Sequence, residues 1–266
     1  MYSEEHKKYL KKIKMDKIII TISRITILIT LLLLWEILAR YNIINQFLSS
    51  SPSKIITTTI SLIKENELIT HIYYTLYETI ISFTTASTLG ILIASIFWAN
   101  KKIAKIFDPY LTVLNSLPKV SLGPLLIIWV GANTNSIIVM AILISIFTTI
   151  INMQNAFNQT DKSKIFLLKS LNATKFQIFT KLIFPENIKT LINTLKINIS
   201  LSLIGVIMGE LLVSKKGLGY LITYGSQVFN LNLVITSIFI LGIISYFLYL
   251  IIDKIEKKAL HFLLGW

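Results

Sequence analysis

The residue types that carry chemistry in most enzymes are scarce and scattered in this chain. It has no cysteine, which excludes disulfides and thiolate ligands, and its histidines, His6, His71 and His261, form no ligand-spaced pair. The sequence contains neither a G-x-x-x-x-G-K-[ST] phosphate loop nor a G-x-S-x-G nucleophile turn. We therefore expect a non-catalytic protein that binds no metal or cofactor itself and depends on a partner for energy.

The stretch from Lys162 to Lys189 is the most informative part of the sequence, because it places six lysines among short apolar runs. It is too polar to cross lipid, yet the runs around Phe166 and Phe176 can form one or two short helices. Between them, Asn172 can adopt the left-handed conformation of a tight turn. Pro185 is expected to end the second helix and start the next span. The pattern predicts a helical knuckle that projects into the cytosol.

Ionisable residues inside apolar segments are functional candidates, because each costs about 2.5–3.5 kcal/mol at the centre of a membrane helix. Glu210 could shape an external gate or meet a binding protein, or it could be a structural partner for a neighbouring helix. Lys119 could line a path for an anionic substrate. Pro118, Pro124 and Gly131 could free backbone carbonyls along that path or serve ordinary packing.

The composition places these residues in a membrane protein. Of the 266 residues, 54% are hydrophobic and 15% are charged, and the mean hydropathy is +0.70. A span needs about 20 mostly apolar residues. Six windows meet this need, so we predict an all-α bundle of six transmembrane helices, the third interrupted by prolines. The windows are residues 18–39, 73–99, 109–131, 134–153, 188–213 and 231–252.

The distribution of Lys and Arg predicts that both termini are cytoplasmic. The segments expected inside hold 18 of the 26 basic residues, whereas the outer connections hold five. This bias also explains the net charge of +13 better than nucleic-acid binding does. The first window is too long for a signal-peptide core and lacks a clear cleavage site, so it is interpreted as a retained span.

We divide the chain into residues 1–47, a cytoplasmic tail with the first span, and residues 48–266, a core of five transmembrane helices whose basic loop covers about 154–187. Between the first two spans, Ile55, Ile56, Ile60, Leu62 and Ile63 recur at roughly helical spacing. They indicate either a short amphipathic helix on the outer surface or an ordinary surface loop.

Five short motifs resemble those of the permease subunits of bacterial ABC importers with the type I fold, in the nitrate, sulfonate and taurine group. The basic loop keeps the spacing of the family's Glu-Ala-Ala signature, with Asn172 at its glycine and Pro185 at its proline, although several residue types differ. The resemblance covers about residues 48–263. The matching segments are Phe166-Leu167-Leu168 with Lys169-Ser170-Leu171-Asn172-Ala173-Thr174 and Pro185; Ser51-Pro52-Ser53; Asp108-Pro109 and Leu117-Pro118-Lys119 through Gly123-Pro124 to Gly131; Leu203 through Glu210-Leu211; and Gly217-Leu218-Gly219-Tyr220.

This resemblance implies a multi-pass subunit of the bacterial inner membrane that forms the path for a small organic or anionic solute, such as a sulfonate, nitrate, taurine or a vitamin precursor. Its implied partners are two cytoplasmic ATPases that bind the ATP, a second permease, expected to be identical, and an external solute-binding protein. The knuckle, from Phe166 and Leu168 to Thr174, would sit in a groove of the ATPase. Gly217 and Gly219, with Glu210, belong to the predicted path or gate.

Two other function classes compete with this interpretation. One is a secondary transporter driven by an ion gradient, which the lack of recognisable inverted halves and the scarcity of acidic groups within the spans disfavour. The other is an intramembrane enzyme or signalling scaffold, which the lack of a catalytic constellation disfavours.

Overall fold

The computed structural model describes residues 4–264, and all regular elements in that range are helical. Side chains are described at His6 and from Tyr9 to Lys258, so Lys7, Lys8 and His261, which entered the sequence predictions, lie outside the described side chains. The helices are α1 (Glu4–Arg40), α2 (Gln46–Ser49), α3 (Pro52–Lys64), α4 (Glu67–Ala99), α5 (Lys101–Ser116), α6 (Gly123–Val130), α7 (Thr134–Gln159), α8 (Lys162–Ser170), α9 (Lys175–Ile178), α10 (Phe184–Glu186), α11 (Ile188–Val213), α12 (Leu218–Gln227) and α13 (Leu231–Leu264).

Five of the described helices are long and apolar enough to cross a membrane, and a bent pair raises the number to at most six. α11 has the bounds predicted from the sequence, and α1, α4, α7 and α13 each extend beyond their predicted windows. The all-α, multi-span fold class is therefore confirmed.

The third predicted span, residues 109–131, is not one kinked helix. The chain is divided between Lys101–Ser116 and Lys119–Val130, which meet at 87°. The position of the break is set locally, because Leu117, which precedes Pro118, is forced into an extended conformation with ψ of 140°. Pro124 does not kink a helix either. It lies in the first turn of α6, where a missing N–H costs nothing.

The connection between the first two spans contains the predicted amphipathic helix, α3. Ser51 caps it by accepting a hydrogen bond from the Lys54 N–H at 3.4 Å, and Pro52 occupies its first turn. Ile55 and Leu62, two turns apart, are buried, while Ile56 stays exposed.

The core of the bundle consists of α4, α7 and α11, which pack closely through small residues. A Cβ on Gly205 of α11 would lie 2.5 Å from the Ala141 Cα of α7, so only glycine allows this approach. Buried polar side chains also bond between helices, as where Asn198 Nδ2 donates to Ser87 Oγ at 2.6 Å. Buried polar pairs of this kind hold membrane helices in register.

α1 and α13 are fixed to the core by charged side chains. Glu36 of α1 accepts hydrogen bonds from the Ser53 N–H at 3.0 Å and from its hydroxyl at 2.9 Å. Lys196 of α11 pairs with Asp253 of α13 at 2.8 Å and with Glu256. Lys196 lies within a span, and these two carboxylates compensate its charge there.

Candidate functional site

The knuckle, residues 162–178, consists of α8 and α9 joined by a tight turn. Asp161 caps α8 by accepting from the Ser163 N–H at 2.8 Å. Asn172 has φ of +57°, the left-handed conformation expected from the sequence. The Thr174 hydroxyl and the Gln177 side chain form a capping box at the start of α9. Each end of the turn is therefore fixed by its own local hydrogen bonds.

The two faces of the knuckle differ in character. Leu168 and Ala173 pack inward against the buried cluster that contains Phe157 and Ile178. Phe166 and Phe176 are 72% and 75% exposed, and Leu167 and Leu171 are also mostly exposed. We call these four exposed side chains the apolar tip. Leu167 and Phe176 were not among the predicted site residues, although the apolar runs around them were recognised.

The polar residues of the knuckle lie at its surface. Lys169, Ser170 and Thr174 are exposed, and the Ser170 hydroxyl donates to the Phe166 carbonyl oxygen at 3.1 Å. Lys164 pairs with Glu186 at 2.6 Å, and this carboxylate raises the pKa of the lysine. Because the pair is largely exposed, it adds little to stability.

Pro185 has a different role from the one predicted. It lies in the three-residue helix α10, which follows a π-helical turn at Phe179–Ile183, and the next span begins only at Ile188. In an α-helix a proline has no N–H for the carbonyl four residues earlier, and its ring clashes with that carbonyl. The wider π-helical turn moves this carbonyl away, so the helix continues through Pro185. Asn187 makes the junction instead, its Nδ2 donating to Thr160 Oγ1 and the Ile183 carbonyl, each at 2.8 Å.

A second set of predicted residues meets at the opposite end of α11. The Glu210 carboxylate, 1% exposed, accepts from Thr75 Oγ1 of α4 at 2.7 Å and from the Gly219 N–H at 2.6 Å. Gly217 has φ of +104°, and a Cβ there would overlap the Glu210 carboxylate. Glu210, Gly217 and Gly219 therefore form one cluster, as their assignment to one site requires.

α4 supplies the rest of this cluster. His71 Nδ1 accepts from the Gly217 N–H at 2.9 Å, and Thr75 Oγ1 accepts from the Leu218 N–H at 2.9 Å. We call Glu210, Thr75, His71 and the three backbone N–H groups of residues 217–219 the loop anchor. It fixes the loop between α11 and α12, and its partners match the alternative in which Glu210 supports a neighbouring helix.

Glu78 adds a second buried carboxyl beside the loop anchor. It is 1% exposed, its side chain interacts with those of Glu210 and Thr134, and its Oε2 has no hydrogen-bond partner among the described residues. Neither Glu78 nor Thr75 was among the predicted site residues. The signal was present, because His71, Thr75 and Glu78 are spaced i, i+4 and i+7 and so share one face of α4.

The four other predicted path residues lie within the bent helix pair, between Lys101 and Val130, or directly at its end, and they are not part of the loop anchor. Pro118 and Pro124 are exposed, and Gly131, with φ of +95°, ends α6. Lys119 is partly buried, and its Nζ donates to Asn115 Oδ1 at 3.1 Å and to the Ile144 carbonyl at 3.4 Å. The seven predicted path residues thus belong to two groups in space.

Several apolar spans, a broken third span and a basic knuckle between two spans define a multi-pass membrane protein. The sequence profile described as "Binding-protein-dependent transport system inner membrane component" matches residues 86–260, and the chain belongs to this family. It is the transmembrane permease subunit of an ATP-driven importer.

Similar proteins agree with the family. The formylaminopyrimidine transport permease ThiX of Halalkalibacterium halodurans is 29% identical over 86% of this chain and 91% of that protein. The putative aliphatic sulfonates permease SsuC of Bacillus subtilis is 24% identical over 85% and 82%. The taurine permease TauC of Escherichia coli is 20% identical over 87% and 86%.

Solved structures agree with the fold. An inward-facing conformation of the MetNI methionine ABC transporter superposes with a TM-score of 0.63 over 71% of this chain and 94% of that one. At 20% identity this likeness concerns the fold alone.

Proposed function

We propose that the chain forms the translocation path for a small organic or anionic solute that an external binding protein delivers, with ATP hydrolysed by a separate cytoplasmic ATPase. The relatives transport a formylaminopyrimidine, aliphatic sulfonates, taurine and, in Chloroflexus aurantiacus, riboflavin, and a solute of this size and polarity fits a path through a small helix bundle. Lys119, a cation beside the broken span, favours the anionic members of this class.

The observation that carries the proposal is the apolar tip of the knuckle. Four large apolar side chains of a short, locally fixed element are exposed together, and such patches mark interaction sites. The lysines on the same loop favour the cytoplasmic side, where the ATPase would bind. An ATPase that closes on nucleotide would carry the knuckle with it and rock the bundle between its two access states.

The loop anchor serves the opposite face in this proposal. It holds the α11–α12 loop, which carries Lys215 and Lys216, in one conformation against α4. A binding protein that docks there would meet a preformed surface, which lowers the entropy lost on association. Glu210 then acts by positioning this loop and not by contacting solute.

A second, identical copy of the chain completes the proposed path. α6 exposes Leu125, Ile128 and Trp129, and the last two are more than 70% accessible. The rest of the bent helix pair does not cover these side chains. An identical partner would cover these side chains and place two broken spans face to face. An ion-coupled secondary transporter, by contrast, needs no ATPase and gives the knuckle no role.

Co-purification with an ATPase encoded beside this gene tests the proposal. The variant Phe166→Ser/Leu171→Ser/Phe176→Ser removes three of the four side chains of the apolar tip and leaves the inward face of the knuckle unchanged. We expect at least a tenfold loss of bound ATPase. Each of the three side chains would be buried in the complex, and burial of one large apolar side chain contributes about 1.5–3 kcal/mol.

The matched control is Ile43→Ser/Phe47→Ser, which removes exposed apolar side chains from the connection after α1. It is expected to keep wild-type ATPase binding. Equal ATPase binding by the tip variant and the wild type would contradict the proposal, as would ATP-independent uptake in vesicles that contain this chain alone.

A further inference from the structure

A cavity of about 600 Å³ lies between the knuckle and the common end of α4 and α7. α4 ends at Ala99 and α7 at Gln159, so the cavity is at the depth where two apolar spans leave the hydrocarbon. Its inner wall contains aromatic and aliphatic side chains, with Trp98 tilted against Phe179 at 5.2 Å. A tryptophan at this depth is typical of the membrane–water interface.

The rim of this cavity is strongly basic. Five lysines line it, two from the start of α5, two from α8 and one from α9. Lys175 Nζ donates to the free carbonyl of Ala99 at 3.4 Å, so it is held over the opening. None of the described residues that line the cavity is acidic. The five are Lys101, Lys102, Lys162, Lys169 and Lys175.

The two acidic residues that flank the knuckle in the sequence already accept hydrogen bonds from other groups. Asp161 accepts from the Ser163 N–H at 2.8 Å as the cap of α8, and Glu186 accepts from Lys164 Nζ at 2.6 Å. Five ammonium groups around one opening repel each other unless an anion joins them. The geometry therefore calls for a negatively charged ligand with an apolar part.

We propose that this cavity binds a phosphate-bearing anion, with an anionic phospholipid headgroup as its source. The lysine rim would hold the phosphate, and the Trp98 wall would contact the glycerol and the first carbons of the acyl chains. Basic pockets between helices at the cytoplasmic membrane edge have the right charge and depth for such headgroups. The lipid would then tie the end of α4 to the knuckle that the ATPase is proposed to move.

An acidic segment of the ATPase is a weaker occupant. The side chains of the apolar tip, Phe166, Leu167, Leu171 and Phe176, do not line the cavity, so the proposed ATPase surface and the cavity lie on different faces of the knuckle. Two of the lysines, Lys101 and Lys102, also come from the span end and not from the knuckle. The position thus favours lipid.

The test uses the full-length protein in nanodiscs of phosphatidylcholine with a minor fraction of phosphatidylglycerol, and native mass spectrometry counts the retained phosphatidylglycerol. The variant Lys101→Gln/Lys102→Gln/Lys175→Gln leaves the two lysines of α8, Lys162 and Lys169, unchanged. We expect about a hundredfold weaker retention, because each lysine near an anionic headgroup contributes about 1 kcal/mol and 1.4 kcal/mol is a factor of ten.

The matched control is Lys105→Gln/Lys181→Gln/Lys189→Gln, which removes three exposed lysines that do not line the cavity. It should retain the lipid. Equal losses in the two triple variants, or no preference of the wild type for phosphatidylglycerol over phosphatidylcholine, would overturn the proposal.

Two further arms identify the source of the anion and guard against misfolding. Inorganic phosphate at millimolar concentration should not displace the lipid. If phosphate binds with the same lysine dependence, the anion site stands and its source is soluble. The wild type should unfold at a higher temperature in phosphatidylglycerol than in phosphatidylcholine, whether or not the variants fold. Displacement of the lipid by ATPase binding would overturn the assignment. ATPase binding itself, measured separately, tests the apolar tip.

Discussion

The knuckle exposes four large apolar side chains, whereas the loop anchor at the other end of α11 buries the Glu210 carboxyl group, a threonine and a histidine, with the buried Glu78 beside them. The knuckle is held by bonds between neighbouring residues, such as the Thr174 and Gln177 capping box. The loop anchor is held by bonds between residues 135 to 146 positions apart, such as Thr75 with Glu210 and His71 with Gly217. A locally fixed element can move as a unit, while a cross-linked one keeps its place.

This contrast suggests a division of labour between a moving end and a fixed end of the bundle. The knuckle can transmit a displacement because hydrogen bonds between neighbouring residues hold its turn together. The loop anchor cannot shift without leaving buried N–H and carboxylate groups unpaired, which costs about 1–3 kcal/mol for each group.

The largest predicted effect is that of removing the centre of the loop anchor. Glu210→Ala leaves Thr75 Oγ1 and the Gly219 N–H without their acceptor and opens a cavity, so we expect about 3 kcal/mol or more of destabilisation. Thermal unfolding in detergent measures it. Glu210→Gln keeps one acceptor oxygen and the side-chain volume, so it should destabilise the protein clearly less. An unchanged unfolding temperature for Glu210→Ala would show that the loop anchor does not stabilise the fold.

The next effect concerns the backbone of the same cluster. Gly217→Ala forces a side chain into a left-handed conformation and into the Glu210 carboxylate, and we expect a loss of about 1–3 kcal/mol. Gly242→Ala is the control, because a Cβ at Gly242 meets nothing within 4 Å. If the two glycine variants unfold at the same temperature, the loop is free to adjust and is not fixed.

A smaller effect is predicted at the turn of the knuckle. Asn172→Ala should cost about 1 kcal/mol locally, because alanine tolerates a φ of +57° poorly, while Asn172→Gly should be neutral. Since Asn172 is exposed and the hydrogen bonds of the turn are local, we expect weaker ATPase binding with little change in global unfolding. A large fall in the unfolding temperature would mean that the knuckle and bundle form one cooperative unit.

The smallest effect is that of the exposed pair between Lys164 and Glu186. Glu186 raises the pKa of Lys164, so the stabilisation is present below the ordinary lysine pKa and is lost only as the pH rises through the raised value. Lys164→Gln should therefore unfold like the wild type from pH 6 to pH 9, because an exposed pair contributes little. A clear difference in that range would indicate that the pair locks the knuckle.

Properties set by neighbouring residues could be predicted from the sequence. The bounds of α11 follow from an apolar run of sufficient length, and the φ of Asn172 follows from the side chain that best tolerates a left-handed turn. The capped amphipathic helix α3 follows from the order Ser51-Pro52 and from the spacing of its isoleucines.

Properties set by distant contacts could not be predicted. The 87° bend after Leu117 depends on how α6 packs against α7 and α11, and prolines alone indicate a kink without its size. One partner of Glu210, Thr75, comes from α4, 135 residues away, so the burial of Glu210 could not be deduced from its own neighbours. The helix end and span start predicted at Pro185 were wrong, because a π-helical turn leaves no mark in the hydrophobic pattern.

Cross-linking at the apolar tip tests most directly the claim that the knuckle receives force from an ATPase. The chain has no cysteine, so Leu171→Cys introduces a unique thiol at an exposed position. In the assembled complex a short thiol-to-amine reagent should join it to the ATPase, and a membrane-impermeant maleimide should label it only after the cells are opened. Labelling of this thiol from outside intact cells, or a transport-competent complex that gives no cross-link at Leu171→Cys, would contradict the account.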